Sequence, residues 1–277
     1  MIGTSLGFRH LLKDFNLNKG DTIMLVSDVS FLLHTYKKNN KYFDINLFID
    51  SVLEKIGKEG TLLIPTYNYD FCKGITFHYH NTSPATGSIA KIALKRKDFK
   101  RTTNPIHSFA VCGKDREILY NLKHTSSFGD DSPFSYLHKK NAKYFSVGLD
   151  FTNLGFTPAH YVEEKVRVSY RYFKDFVGNY IDENGLEKKV KYKFYVRDLS
   201  KVNATGIKKK TDQLLTDIKA YQKYFVQNEL FGIVELGKAL DFLIYDMKKN
   251  SEDNRLIYPI KKNVKISRTK INLGMNQ

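Results

Sequence analysis

The chain has 277 residues, 42% of them hydrophobic, so it can bury a substantial core as one large domain, residues 1–277, and wholesale disorder is not expected. Its 45 Lys and Arg against 29 Asp and Glu give a net charge of +16, a field that draws anions and repels polycations. No run of about eighteen apolar residues is present and the N-terminus has no apolar signal core, so neither a membrane span nor a secretory leader is expected, and the expected location is cytoplasmic.

Leu6 to Phe15 is an amphipathic segment, and the Asn18-Lys19-Gly20-Asp21 turn releases the chain into a strand, Thr22 to Val26. Ser27 and Asp28 sit at that strand's carboxyl end, where ligands gather in open α/β sheets, or else they cap the FLLHTYKK helix that follows. Asp44 to Ile56 carries apolar residues at helical spacing, and Thr61 to Ile64 is a strand that stops at Pro65. The loop Thr66 to Phe71 lies again beyond a strand end. In it Tyr67, Tyr69 and Asp70 suit a sugar, whose apolar faces stack on rings and whose hydroxyls or amine meet a carboxylate; a plain surface loop is the alternative. Phe77-His78-Tyr79-His80 alternates, which would put His78 and His80 on one face of a strand as half a metal site. No Cys or His cluster completes it, so no metal is expected. Cys72 and Cys112 belong to no CxxC pattern and read as free thiols.

Thr86-Gly87-Ser88 is expected to cap a helix from Ile89 to Lys97. The irregular basic segment Arg101 to Ser108 follows, where Arg101, Thr102, Thr103, Asn104 and Ser108 offer donors for phosphate or pantetheine amides, and Phe109 to Gly113 is a short core strand. Tyr144, Phe145, Val147 and Leu149 form a buried strand with Gly148 near its end, and a loop runs from Asp150 to Phe156. Thr157-Pro158 then opens a helix, with a hydroxyl at the N-cap and proline at the first helical position. His160 falls at about its third residue, where the helix dipole disfavours imidazolium, and Glu163 shares its face. Farther on, alternation around Asp182-Glu183-Asn184-Gly185 predicts a hairpin over about residues 168–197, read as an elaboration on the domain. A helix from Thr211 to Phe225, a strand Leu230 to Val234, a helix Leu236 to Met247 and a basic segment, residues 257–277, complete the chain.

The spacing Thr157-x-x-His160-x-x-Glu163, directly after a strand ending in Val147-Gly148, resembles the motif of the aminoglycoside 3-N-acetyltransferase family. Other pieces match in order: Gly20-Asp21 leading to Ser27-Asp28, Gly60 to Pro65, Thr86 to Ala90, Arg101 to Ser108, and Gly129-Asp130-Asp131-Ser132-Pro133-Phe134. The resemblance covers roughly Leu6 to Glu164. It departs at Val26, where many members carry a histidine before the strand-end serine.

The resemblance implies an α/β fold with a mixed central sheet flanked by helices and a β-hairpin insertion. It also implies transfer of an acyl group from coenzyme A to a primary amine without a covalent acyl-enzyme. His160 would be the base and Glu163 its orienter, with Ser27 or Thr157 and nearby backbone N–H groups as oxyanion donors. Ser27 and the 101–108 donors would hold the co-substrate, acetyl-CoA or 3-hydroxybutanoyl-CoA, and Asp28, Tyr67, Tyr69, Asp70, Asp131 and Ser132 the acceptor. The partners expected are therefore small molecules and not nucleic acid, with a homodimer left open. Since the +16 field repels polycations, the acceptor expected is a dTDP- or UDP-linked amino sugar of surface polysaccharide synthesis. A true aminoglycoside acetyltransferase is the alternative, and a basic nucleic-acid-binding module, in which the motif is accidental, is a second.

Overall fold

A computed structural model describes residues 5–30, 33–34, 37, 43–150, 156–226 and 229–261. Its strands, in chain order, are β1 Thr22–Ser27, β2 Thr61–Pro65, β3 Phe77–His78, β4 Lys100–Arg101, β5 Phe109–Gly113, β6 Lys143–Val147, β7 Arg171–Ile181, β8 Glu187–Arg197, β9 Val202–Ile207, β10 Tyr221–Val226, β11 Glu229–Glu235 and β12 Ile257–Lys261. Seven of them form the main sheet in the order β10-β11-β6-β1-β2-β5-β4. Its centre, β6-β1-β2, is parallel, and antiparallel strands close both sides. This is the mixed sheet between helices that the sequence predicts.

The central strands read as continuous apolar runs because both sheet faces are covered. Alternation then decides which face each side chain meets. Met24, Leu63 and Tyr144 enter one core, with the helices Pro133–Lys139, Pro158–Val166 and Leu236–Lys249. Ile23, Leu25, Leu62, Ile64, Phe145 and Val147 enter the other, with the helices Ser5–Leu12, Ile45–Ile56 and Ser88–Ala93. Asp44 starts the longest described helix on this second face by accepting the N–H groups of Asn46 and Leu47 at 2.8 and 3.2 Å, and Gly57, at φ 67°, ends it.

Several expectations change in detail. The helix placed at Ile89 to Lys97 is shorter, Ser88–Ala93, and the Thr86 hydroxyl donates to the Pro65 carbonyl instead of capping it. His78 and His80 do not share a strand: β3 ends at His78, and the His80 ring lies in a turn against the Glu183 carbonyl. The helix predicted from Thr211 to Phe225 stops at Asp217, and Tyr221–Val226 is strand β10. Lys219, at φ 56°, turns the chain between them.

The predicted hairpin is present as β7 and β8, within the expected span, and it carries a small core of its own. With β3 it makes a three-stranded sheet whose Tyr180 joins Phe71, Phe77, Tyr79 and Ile106 in a third core. Of the basic C-terminal stretch, β12 pairs with β9, and residues 262–277 lie outside the described residues, as do residues 151–155 of the loop before the motif helix and much of FLLHTYKK. No described helix is long and apolar enough to cross a membrane, and Cys72 and Cys112 are both free.

Candidate active site

The parallel strands β6, β1 and β2 end on one edge of the sheet. Because β1 lies between the other two, their connections leave in opposite directions and open a crevice there, the usual place for a ligand in such sheets. Ser27 is registered against Val147, and the Asp28 N–H donates to the Val147 carbonyl at 2.9 Å, which ties the ends of β1 and β6 together. Gly148, at φ 68°, then turns the chain out of the sheet, and the helix Pro158–Val166 packs on one face of it, with Thr157 at its start beside Tyr67 of the loop beyond β2.

Proline fills the first helical position as expected, but Thr157 makes no capping hydrogen bond. Its side chain instead meets the hydroxyl of Tyr67, from the loop beyond β2. His160 is the third residue of the helix, and its Nδ1 lies 2.7 Å from Oε2 of Glu163, one turn on and fully buried. The same carboxylate oxygen accepts from Nη2 of Arg171 at 2.9 Å, while Tyr170 donates its hydroxyl to Oε1 at 3.1 Å. Arg171 Nη2 is also 3.0 Å from His160 Nδ1. The Nδ1–H tautomer lets Nδ1 and the guanidinium both donate to Oε2, with the 3.0 Å approach of Nη2 to Nδ1 a contact between two donors that share that oxygen; the other tautomer would set two acceptors, Nδ1 and Oε2, against each other at 2.7 Å. The free lone pair of His160 is then on Nε2, and a third of the side chain remains exposed.

Electrostatics agree with a neutral ring. Burial lowers the His160 pKa below its ordinary value; the hydrogen bond and charge of Glu163 oppose this, and the charges of Arg171 and Arg197 add to it. Burial by itself would raise the Glu163 carboxyl, but the bond and charge of His160, the charge of Arg171 and the Tyr170 hydroxyl outweigh it and hold the pKa below normal. The result is a neutral imidazole, oriented by an ionised carboxylate that is itself paired with a cation.

The other residues nominated from sequence divide clearly. Ser27, partly buried at the end of β1, makes no side-chain hydrogen bond with any described residue. Tyr69 brings its hydroxyl to 3.4 Å from Nε2 of buried His107. Tyr67 is core rather than an exposed stacking ring. Asp70 faces Lys73 at 3.1 Å, exposed Asp28 accepts the Ser30 N–H at 2.9 Å as an ordinary turn residue, Asp131 is exposed, and buried Ser132 is the N-cap of Pro133–Lys139.

The segment Arg101 to Ser108 is not an open donor surface. Arg101 is 3% exposed and spends its guanidinium on the carbonyls of Thr66, Tyr79 and Thr82 and on Ser108 Oγ, over the ring of Phe77. Thr102 Oγ1 accepts the Phe109 N–H, Asn104 Oδ1 accepts those of Ile106 and His107, and Ser108 bonds to Thr66. Thr103 contributes its carbonyl to the Tyr192 hydroxyl. The cause is burial: polar groups taken out of water must pair internally, and these brace the loop beyond β2 against β5. Within this segment, Asn104 Nδ2 and His107 Nδ1 are buried without a hydrogen-bond partner.

Arg171, Tyr170, Arg197 and His107 belong to this neighbourhood but are not marked by the sequence pattern. Arg171 meets Glu163 because Arg167, at φ 55°, ends the helix and folds the chain back, a turn that no glycine announces. His107 is wholly enclosed by aromatic rings, including Tyr67, Tyr69, Phe128 and Phe194, and burial, then the charges of His160 and His124, holds its pKa far below normal. Among the described residues no group of three His, Cys, Asp or Glu side chains gathers for a metal. A cavity of about 580 Å³ lies along the edge strand β10, from Asp212 to Tyr224, and includes none of the residues around His160. Chemistry, not volume, marks the site.

Residues 39–248 match the family described as aminoglycoside 3-N-acetyltransferase. No curated protein matches the chain. Among solved structures, the fold is similar to aminoglycoside acetyltransferase AAC(3)-Xa, at 18% identity and a TM-score of 0.70 over 86% of this chain and 90% of that one. It is similar to AAC-IIIb in its binary complex with CoASH, at 14% identity and a TM-score of 0.70 over 89% and 96%. AAC-VIa bound to sisomicin gives 15% identity and a TM-score of 0.70 over 88% and 97%.

Proposed function

The chain belongs to the aminoglycoside 3-N-acetyltransferase family and is an acyl-CoA-dependent N-acyltransferase, and from that premise we propose that His160 is its general base. The observation that carries this reading is the 2.7 Å bond from His160 Nδ1 to a buried, ionised Glu163, which leaves Nε2 free to accept a proton. In the reaction the amine attacks the thioester carbonyl while Nε2 takes the proton that the nitrogen must lose. Glu163 accepts Nδ1–H throughout, and the positive charge that develops on the imidazole is met by the carboxylate beneath it. As the tetrahedral intermediate collapses, the carbon–sulfur bond breaks and the imidazolium returns the proton to the departing thiolate. Ser27 and Thr157, near the crevice edge, are the side chains we assign to the oxyanion, together with backbone N–H groups there.

The donor is acetyl-CoA, with a larger acyl-CoA such as 3-hydroxybutanoyl-CoA as the variant that pocket size would admit, and the place of action is the cytoplasm. Membership of the family sets aside the reading as a nucleic-acid-binding module. For the acceptor, an aminoglycoside is the reading that the relatives favour, since AAC-VIa is bound to sisomicin. A specific observation supports a second: at +16 the chain repels polycations and attracts a nucleotide-linked amino sugar.

The test is a thiol-release assay with acetyl-CoA and matched panels of aminoglycosides and of dTDP- and UDP-linked amino sugars. Turnover by wild type and a loss of roughly two to four orders of magnitude in His160→Ala, with CoA binding kept, is the expected result. A folded His160→Ala enzyme of unchanged turnover removes the base from the mechanism, whichever acceptor reacts.

A further inference from the structure

Arg171 and Arg197 are direct cross-strand partners at the open end of the β7–β8 hairpin. Residues so placed have Cβ atoms about 4.5–5.5 Å apart, and like charges there repel. Arg171 is neutralised by Glu163 at 2.9 Å. Arg197 is not. Its guanidinium donates to the backbone carbonyl of Asn203, it forms no ion pair with any described residue, and the remaining residues contain no Asp or Glu.

The position of that spare charge is informative. Arg197 lies opposite the residue whose guanidinium touches both His160 and Glu163, and its charge is felt by His160, Glu163 and the Tyr69 hydroxyl. Arg197 is exposed and so open to a ligand, and partial desolvation first, then the Arg171 charge, hold its guanidinium below its ordinary pKa. Around the base, Glu163 and Arg171 cancel, His160 is neutral, and Arg197 carries a positive charge that no described acid pairs.

We propose that Arg197 grips an anionic phosphoryl group of the acceptor, carried close to the amine that His160 deprotonates. This rests on the nucleotide-linked acceptor and deepens it. An arginine beside the base selects that source of phosphate by geometry. Coenzyme A keeps its phosphates a whole pantetheine arm from the reacting sulfur, whereas an amino sugar on a nucleoside diphosphate bears its first phosphate on the same ring as the amine. The planar guanidinium offers paired donors to two phosphate oxygens. A polycationic acceptor meets the opposite: its ammonium groups would have to approach an unpaired cation at the reaction centre.

The experiment measures binding and turnover in wild type, Arg197→Gln and Arg197→Lys. Calorimetric titration uses dTDP, UDP and CoA as separate probes, and the thiol-release assay uses a nucleotide-linked amino sugar and the same amino sugar free. The expected result is that Arg197→Gln weakens the nucleoside diphosphate and raises KM for the nucleotide-linked sugar at least tenfold. CoA affinity, KM for the free sugar and the melting temperature should stay within about twofold or unchanged, with Arg197→Lys intermediate. If wild type acylates the nucleotide-linked sugar and Arg197→Gln keeps its KM, this inference fails and the acceptor reading stands. If Arg197→Gln weakens CoA instead, the phosphate belongs to the donor and the assignment is overturned. Wild type that binds neither dTDP nor UDP yet acylates kanamycin ends both.

Discussion

The fully buried carboxylate of Glu163 lies 2.9 Å from the guanidinium of Arg171, so the acid that orients His160 is already balanced by a cation. An unpaired carboxylate at that position would pull the imidazole toward its charged form, and the base would be occupied at neutral pH. Arg171 removes much of that pull while leaving the hydrogen bond that fixes the tautomer.

This arrangement predicts opposite pH effects from its two members. The acid limb of kcat/KM reports the loss of base as His160 takes up a proton. Arg171→Lys keeps a charge in place and should leave the limb near its wild-type position. Arg171→Gln removes a charge that lowers the His160 pKa, so the limb should move to higher pH. Glu163→Gln removes what raises it, and the limb should move to lower pH. Both variants break a buried pair at a cost of about 3–5 kcal/mol, so profiles are to be measured at a temperature where each remains folded. Shifts of the same sign in Arg171→Gln and Glu163→Gln would contradict the balance.

The second prediction separates support from contact in the Arg101 segment. Arg101→Lys cannot reproduce a fork that serves Thr66, Tyr79, Thr82 and Ser108, and the carbonyls it abandons are buried. Each unsatisfied group costs about 1–3 kcal/mol, and at about 2–4 °C per kcal/mol the melting temperature should fall by several degrees at least. KM for acetyl-CoA should stay within about twofold. An unchanged melting temperature with a large rise in that KM would return Arg101 to the co-substrate.

The contrast with the sequence reading has a physical cause. The central strands and the helix Ile45–Ile56 are legible because local period alone decides which face is buried. Thr157, His160 and Glu163 are legible because a helix start fixes their spacing in one turn. Strand β10 is hidden because Leu214, Leu215, Ile218, Tyr221 and Tyr224 happen to recur at helical intervals across the turn at Lys219. Arg101 and Ser108 look like free donors because most of their partners come from other elements, while Thr102 and Asn104 are taken up by N–H groups a few residues along the same fold of chain. Arg171 and Arg197 read as two charges in an alternating strand, and only their pairing across β7 and β8 shows that two cations lie side by side with one acid, Glu163, paired to the first alone.

A third prediction concerns how the hairpin is held. Gly178 of β7 lies against the ring of Phe71, and an added Cβ would stand 2.8 Å from its Cε2 atom. Phe71 is buried among Phe77, Tyr79, Ile106 and Tyr180, so it has little room to yield. Gly178→Ala should therefore cost about 1–3 kcal/mol, the range for overpacking, and should lower activity by displacing the strand that carries Arg171. Gly185→Ala, in the turn at the far end of the same hairpin, meets no nearby atom but carries φ 80°; it should lower stability through local strain while leaving kcat unchanged. Equal loss of kcat in the two folded variants would show that the docking at Phe71 does not position the site.

The last prediction follows from the buried imidazoles. His107, His124 and His160 all have pKa values below the ordinary one, in each case with burial as the first cause. In the unfolded chain each titrates near about 6.5. As pH falls through that value the unfolded state takes up protons that the folded state does not, so the unfolded state gains free energy of binding and stability declines. The decline continues until the folded pKa of each group is passed. Depressed carboxylates such as Glu163 act in the same direction but only at the lower pH where they protonate. Between pH about 7.5 and about 5.5 the histidines alone should therefore lower the melting temperature, and His107, enclosed by rings and far from solvent, should contribute most. Replacing it with Phe removes its share: His107→Phe should melt less steeply with pH than wild type, even where its absolute melting temperature is lower from imperfect packing. A wild-type melting temperature that is flat over this range, or an identical slope in His107→Phe, would mean that His107 is protonated in the folded protein, and the neutral cluster beside His160 would have to be given up.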